Sequence, residues 1–272
     1  MRSTRRRVQK KQGSSDFDKY DLYRRSVQSP EGDVIFFRKL YRELRGQNPK
    51  DLREDFCGTG LVAMEWARLR PFHRGYGVDI DPEPMHYGRE KYLSRLPIHV
   101  RSRVRLLEKN VLEEGLPQAD IVLAINFSYF IFKEREKLYR YFKNCLQSLR
   151  KKGILIIDVF GGSQCQDAIT DVHRLRGFTY YWEQEGFDPV HNTAKFHIHF
   201  RIRGKKFERV FSYDWRMWSI PELRELLTEV GFRRTHVYWE GTGKDGSGNG
   251  VFTKTEQGEP CLSWIAYIVG EK

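Results

Sequence analysis

The chain has 272 residues, with 48 Lys or Arg against 36 Asp or Glu for a formal net charge of +12, and it is 39% hydrophobic and 14% aromatic. These proportions belong to a folded globular protein and exclude a collagen-like, disordered or coiled-coil chain. At this length a single α/β domain with an insertion can bury one core of its own.

Four cysteines, Cys57, Cys145, Cys165 and Cys261, lie far apart without a C-x-x-C pair. That spacing argues against a zinc knuckle and a disulfide framework and points to a reducing, cytoplasmic setting. The longest mostly apolar stretch, Ile121 to Phe132, is well short of the roughly 20 residues that cross a bilayer, so no membrane partner is expected. Residues 1–15 read as a disordered basic tail. Arg2, Arg5, Arg6, Arg7, Lys10 and Lys11 supply half of the net charge there, and the absence of an apolar h-region argues against secretion. Such an arm can steer a protein toward RNA or DNA, although short basic ends are more often solubilising.

After the tail, Phe36, Phe37, Leu40, Tyr41 and Leu44 recur at helical spacing and predict one helix from Phe17 to Arg45, ended by Gly46-Gln47-Asn48-Pro49. Residues 16–50 are read as a helical lid and 51–272 as the main domain. Asp51 to Phe56 has only two apolar residues and is a strand chiefly by virtue of the turn Cys57-Gly58-Thr59-Gly60 that follows it. Then come a helix from Leu61 to Leu69, a strand from Gly75 to Ile80, a helix from Pro82 to Leu96, and a strand from Val104 to Leu107. A buried strand from Ile121 to Asn126, a helix from Glu134 to Leu149 and a buried strand from Gly153 to Phe160 complete the series. Continuous apolar strands alternating with helices predict a parallel sheet covered on both faces.

Past Gly162 the texture becomes antiparallel. Tyr180 and Trp182, then Phe196 to Ile202, then Phe207 to Trp215 mark three half-buried strands of a small insert at about residues 176–218, the last two joined through Arg203-Gly204-Lys205. Ser219 and Glu222 form a capping box that opens a helix ending at Gly231. Two final strands, Thr235 to Trp239 and Cys261 to Val269, have no helix between them and must pair antiparallel. The expected fold is α/β: a Rossmann-like, seven-stranded, mostly parallel sheet with a terminal antiparallel hairpin and a small antiparallel insert after strand 5.

Glu54-Asp55-Phe56-Cys57-Gly58-Thr59-Gly60 lies between a strand and a helix, and Asp79 ends the next strand about twenty residues on. A glycine turn there lets a ligand approach the backbone and aims a helix N-terminus at it, while the acid suits a ribose diol. Gly58-x-Gly60-x-x-Ala63 alone also satisfies the dinucleotide fingerprint. Glu54 and Asp55 break the tie, because the pyrophosphate of NAD would meet two negative charges there. S-adenosylmethionine presents an ammonium and a sulfonium instead, which carboxylates favour.

On these residues the sequence resembles the class I S-adenosylmethionine-dependent methyltransferases, closely over Leu52 to Gly162 and more loosely over Tyr213 to Val269. The resemblance implies S-adenosylmethionine as cofactor. It implies that Glu54, Cys57, Gly58 and Gly60 hold the methionine moiety, that Asp79 binds the ribose hydroxyls, and that Ile80 flanks the adenine. Asn110 and Val111 would sit near the adenine amino group, and Asn126 beside the methyl donor. Phe56 stands where the family commonly has glycine, and Asp55 adds a second acid, so either Glu54 or Asp55 could face the ligand. The segments Leu52 to Gly60, Tyr20 to Tyr23 and Ser212 to Arg216 look like an uncharacterised bacterial-type subgroup.

Methyl transfer from a sulfonium needs positioning and exclusion of water rather than a dedicated acid or base, so no catalytic residue is assigned. The segments Phe127-Ser128-Tyr129 and Asp158 to Gly161 would wall the acceptor pocket, with the aromatic insert and the helix of Tyr20 and Tyr23 closing over them. Tyr20, Tyr23, Trp182, Trp215 and Trp218 read first as packing residues. Asp158 is a pocket acid or a cap at the strand end. His197 and His199 share a strand face but find no third ligand, so no metal is expected. A small-molecule acceptor is the leading expectation. The alternatives are an RNA or protein methyltransferase using the basic arm and a non-catalytic S-adenosylmethionine-binding regulator. Nothing in the sequence indicates an oligomeric state.

Overall fold

The computed structural model describes residues 17–244 and 246–272, so the basic tail lies outside the described residues. Where periodicity predicts one N-terminal helix, the chain makes two, α1 (Lys19–Val27) and α2 (Pro30–Arg45). Pro30 causes the break: it has no N–H to continue the first helix, it disfavours helical geometry at Ser29, and its fixed φ suits the first turn of α2. Asp18 caps α1 through the Tyr20 and Asp21 N–H groups, and Gly46, at φ 65°, ends α2.

Next come β1 (Asp51–Asp55), α3 (Leu61–Leu69), β2 (Arg74–Asp79), α4 (Pro82–Lys91), the single turn α5 (Ile98–Arg101), β3 (Val104–Glu108), β4 (Ala119–Ala124), α6 (Arg135–Ser148) and β5 (Leu149–Gly161). The second half holds β6 (Ile169–Leu175), β7 (Phe178–Asp188), β8 (Thr193–Ile202), β9 (Lys205–Arg216), α7 (Ile220–Val230), β10 (Arg234–Thr242), β11 (Gly248–Thr255) and β12 (Trp264–Glu271).

The main sheet has eight strands in the order β11-β10-β12-β5-β4-β1-β2-β3. The five from β5 to β3 are parallel, and β12 and β10 close the sheet antiparallel, as the terminal hairpin predicts. The eighth strand, β11, pairs on the outer edge of β10 within the Gly-rich segment that gave no strand signal. Val34, Phe37, Leu40 and Tyr41 of α2 cover one face together with Val62 and Trp66 of α3, while α6 and α7 cover the other with Leu138, Phe142, Leu223 and Leu227.

The insert is a separate sheet, β6-β7-β8-β9, all antiparallel. It has four strands where the aromatic alternation marks three. The fourth, β6, is mostly exposed and polar (Ile-Thr-Asp-Val-His-Arg-Leu), so period-two hydrophobicity is faint there. Phe196, Ile198 and Phe200 point inward from β8. His197 and His199 lie on the opposite face, buried there, where Ser212 and Glu183 hydrogen-bond their rings at 2.8 and 2.6 Å. Among the described residues no group of three or more His, Cys, Asp or Glu converges on a metal position, and no helix is long and apolar enough to cross a membrane.

Candidate functional site

Strand β1 is buried along its whole length although its sequence is Asp-Leu-Arg-Glu-Asp. Alternation sorts the charges. Arg53 and Asp55 point toward α6 and satisfy each other, with Nε to Oδ1 at 2.8 Å and Nη2 to Oδ2 at 3.1 Å, and the Tyr141 hydroxyl donates to Asp55 at 3.0 Å. Glu54 points the opposite way and accepts the Ala63 N–H at 3.0 Å from the first turn of α3. The open choice between the two acids is therefore resolved by geometry: Glu54 lines the cleft, and Asp55 belongs to a buried ion pair.

The turn after β1 carries positive φ at Phe56 (56°), Gly58 (52°) and Gly60 (75°). Asp79, at the end of the neighbouring strand β2, clamps it by accepting the Gly58 N–H at 2.7 Å, and its other oxygen accepts the Asp81 N–H at 2.9 Å. A Cβ on Gly58 would meet nothing within 4 Å, so this glycine opens space in the cleft; a Cβ on Gly60 would lie 2.5 Å from Leu106 Cδ2, so that glycine serves close packing.

Above the turn lies a cavity of about 280 Å³. Its floor is Glu54, Cys57, Gly58, Thr59 and Asp79, its sides include Asp81, Pro84, Asn126 and Ser128, and its roof is Lys19, Tyr20 and Tyr23 of α1 with Phe211 and Tyr213 of β9. Helix α1 is fixed there from two directions. Asp18 accepts the Tyr87 hydroxyl at 2.7 Å and Lys19 pairs with Glu83 of α4 at 2.7 Å, while Phe17 stacks on Phe207 with centroids 4.0 Å apart.

The cleft is electrostatically unusual. Glu54 is 3% exposed, and burial pushes its carboxyl up to about 8, with the Asp79, Asp33 and Asp55 charges adding to the shift and the Ala63 N–H opposing it. Burial likewise raises Asp33 to about 6 and Asp158 to about 7. Asp158 accepts the N–H groups of Asn126 at 2.6 Å and Phe127 at 2.9 Å, holding two consecutive residues at φ 58° and 57°. Its role is to fix the turn that ends β4, and it lines neither cavity.

A second cavity, of about 290 Å³, adjoins the first. The two share Tyr23, Asn126 and Tyr213. The rest of its wall is Phe127, Ser26 and Val27, with Asp171, His173, Tyr180, Trp182, Ile198 and Trp215 from the insert sheet. Strand register explains the set. Asp171 pairs with Trp182 and Trp182 with Ile198, while His173 pairs with Tyr180, so these side chains share one face of the sheet. Trp182 and Trp215 thus wall a cavity in addition to packing, and the Trp215 indole N–H is buried without a hydrogen-bond partner.

Of the residues singled out in the sequence, Glu54, Cys57, Gly58, Asp79 and Asn126 meet around one cavity. Gly60, Ile80, Asn110 and Val111 do not line it. Ile80 is 69% exposed, Val111 is packed in the core, and the Asn110 side chain accepts the Leu112 N–H within its own turn. Lys19, Thr59, Asp81, Phe211 and Tyr213 line the cleft without having been assigned to it; only the aromatic alternation of the insert signalled the last two.

Residues 57–155 match a family model described as a methyltransferase domain. Three solved structures share the fold. An S-adenosylmethionine-dependent methyltransferase from Clostridium acetobutylicum is 19% identical, with a TM-score of 0.64 over 92% of this chain and 94% of its own. An amino pentose methyltransferase of calicheamicin biosynthesis from Micromonospora echinaspora is 15% identical, with a TM-score of 0.64 over 96% and 100%. A sugar N-methyltransferase from Streptoalloteichus is 16% identical, with a TM-score of 0.61 over 99% of each chain. No curated protein sequence matches.

Proposed function

We propose that this chain, whose residues 57–155 match a methyltransferase-domain model and whose fold is shared by S-adenosylmethionine-dependent methyltransferases, moves a methyl group from S-adenosylmethionine in the cleft above the Gly58 turn to a small molecule in the adjoining aromatic cavity. The observation that carries the reading is the adjacency of the two cavities, which share Tyr23, Asn126 and Tyr213. A donor and an acceptor held on either side of that shared wall are presented to each other, which removes most of the entropic part of the barrier.

The residues present fit the cofactor. Glu54 carries a buried carboxyl group whose one hydrogen bond among the described residues comes from the Ala63 N–H, and its ionised form would gain from a cationic group. The space beside Gly58 is free, and the turn carries no Lys or Arg for a pyrophosphate. Glu54 and the Gly58 turn would hold the methionine end, Lys19 its carboxylate, and Asp79 the ribose hydroxyls. When bound, the cofactor supplies an electrophilic methyl group on sulfur. The chain supplies position: Asp158 fixes the Asn126 backbone, and α1 with β9 roofs the cleft and would limit the access of water to a bound cofactor. A small acceptor suits the second cavity, which is at the lower end of the roughly 300–1,000 Å³ that hold compact organic ligands. Solved structures of a sugar N-methyltransferase and an amino pentose methyltransferase with the same fold support that reading.

Calorimetric titration with S-adenosylmethionine, S-adenosylhomocysteine and NAD tests it. Binding of the first two and not NAD is expected. Binding of NAD alone would overturn the cofactor reading and make the protein an oxidoreductase candidate.

A further inference from the structure

The two joined cavities carry a charge opposite to that of the chain. In a protein of net charge +12, their described lining contains Glu54, Asp79, Asp81 and Asp171 against a single Lys or Arg, Lys19, which is itself paired with Glu83. The aromatic cavity holds no Lys or Arg at all among its described lining residues. A phosphorylated or carboxylated acceptor would enter without a counter-charge and against the field of these acids, which focuses in a narrow cleft.

We propose that the aromatic cavity selects an organic amine, arriving as its ammonium form, as the methyl acceptor. This rests on the assignment of the neighbouring cleft to S-adenosylmethionine. The cavity has the two elements that recognise such a cation: ring faces and a carboxylate. Trp182 stacks one face on Phe196, with centroids 5.1 Å apart at 20°, and Tyr213 stacks on Trp215 at 4.5 Å. Asp171 stands directly across the strand from Trp182, at the exposed edge of the cavity, so its carboxylate sits beside a ring that lines the wall. Stacked, electron-rich rings with an acid at the mouth attract an ammonium group and leave its apolar body among Tyr180, Ile198 and Trp215. The ammonium gives up one proton to solvent before it reacts. The freed nitrogen lone pair then forms the N–C bond as the S–C bond breaks with its electron pair going to sulfur, and the product regains a positive charge that the same acids favour.

The test uses the full chain saturated with S-adenosylhomocysteine and three probes of one shape: phenethylamine, 2-phenylethanol and 3-phenylpropanoate. Binding is read by calorimetry and by the fluorescence of Trp182 and Trp215. Phenethylamine should bind roughly tenfold or more tightly than the alcohol, equivalent to about 1.4 kcal/mol, and the carboxylate should be weakest. Asp171→Asn should weaken the amine several-fold and leave the alcohol unchanged, and Trp182→Leu should reduce the amine preference with S-adenosylhomocysteine binding retained. Equal or tighter binding of the alcohol or carboxylate, or no amine binding by a chain that binds S-adenosylhomocysteine, overturns the proposal and leaves the cofactor assignment standing. Amine binding by a chain that fails to bind S-adenosylhomocysteine supports the cavity's cation preference and overturns the reading of the cleft instead.

Discussion

Binding of S-adenosylmethionine should expel a proton from Glu54. In the ligand-free chain burial sets this carboxyl at about 8, so near neutral pH it carries a proton that it would shed beside a cation. The sign follows from linkage. Affinity is full above the midpoint of the free carboxyl and falls tenfold per unit below it, as long as the bound carboxylate stays ionised. Between pH 8.5 and 6.5 the dissociation constant should therefore rise about 25-fold, with close to one proton released per cofactor near pH 7. Calorimetry in phosphate and in Tris, whose ionisation enthalpies differ, reads that proton directly. Asp33, at about 6, and Asp158, at about 7, titrate in the same window, so Glu54→Gln separates the sources. This variant should bind about 2–5 kcal/mol more weakly at pH 8.5 and lose most of the pH dependence. The same raised midpoints make the ligand-free fold bind more protons than the unfolded chain, so its stability declines from about pH 5 toward 8, and the cofactor should raise Tm more at pH 8 than at 6.5. An affinity that is flat across this range, without proton release, would refute the placement of Glu54 against a cationic group.

Two further substitutions probe the site and its scaffold. Asp79→Ala and Gly58→Val should each abolish or strongly weaken S-adenosylmethionine binding, the first by removing the clamp on the turn and the second by filling the open space at Gly58, with the far-ultraviolet circular dichroism of the native chain preserved; wild-type-like binding by both would remove the site assignment. Asp55→Ala, which leaves Arg53 buried without its counter-ion, should cost about 3–5 kcal/mol of stability in a urea titration, because an uncompensated charge would stand against α6; a loss below about 1 kcal/mol would mean that solvent reaches Arg53.

Hydrophobic pattern located elements wherever burial is apolar. The helix Leu61 to Leu69 was legible to the residue, and Ser219 with Glu222 forms the reciprocal cap that its spacing announces. Pattern failed where burial is bought with ion pairs or where a strand lies on an edge. Strand β1 hides Asp51, Arg53 and Asp55 by pairing them with Arg74, with each other and with Arg150, a solution invisible to any count of apolar residues. Strands β6 and β11 occupy sheet edges, where the exposed face removes the alternation that marks a strand. The choice between Glu54 and Asp55 also needed coordinates, because neighbouring residues on a strand face opposite ways and the register decides which face meets the ligand.

The division between what was legible and what was not follows the division of labour in the site. The floor of the cleft proposed for the cofactor comes from β1, the turn that leads into α3, and the end of β2, largely inside or beside the matched segment 57–155, and it rests on a few residues at fixed spacing. The aromatic cavity is assembled mainly from α1 and from β6 to β9, segments outside that match and more than 140 residues apart in sequence, as Tyr23 and Asp171 illustrate. Tyr23, Asn126 and Tyr213 line both, and Asp158 holds the Asn126 turn between them in place. The matched segment therefore bears on the proposed donor and not on the proposed acceptor, whose cavity is shaped by the side chains that the insert sheet places opposite α1. The field of Asp171 and the rings of Trp182, Tyr213 and Trp215 act at contact range, whereas surface charge elsewhere is screened over about 8 Å at physiological ionic strength. The net charge of +12 thus carries little information about the substrate, and the four acids lining the cavities carry much more.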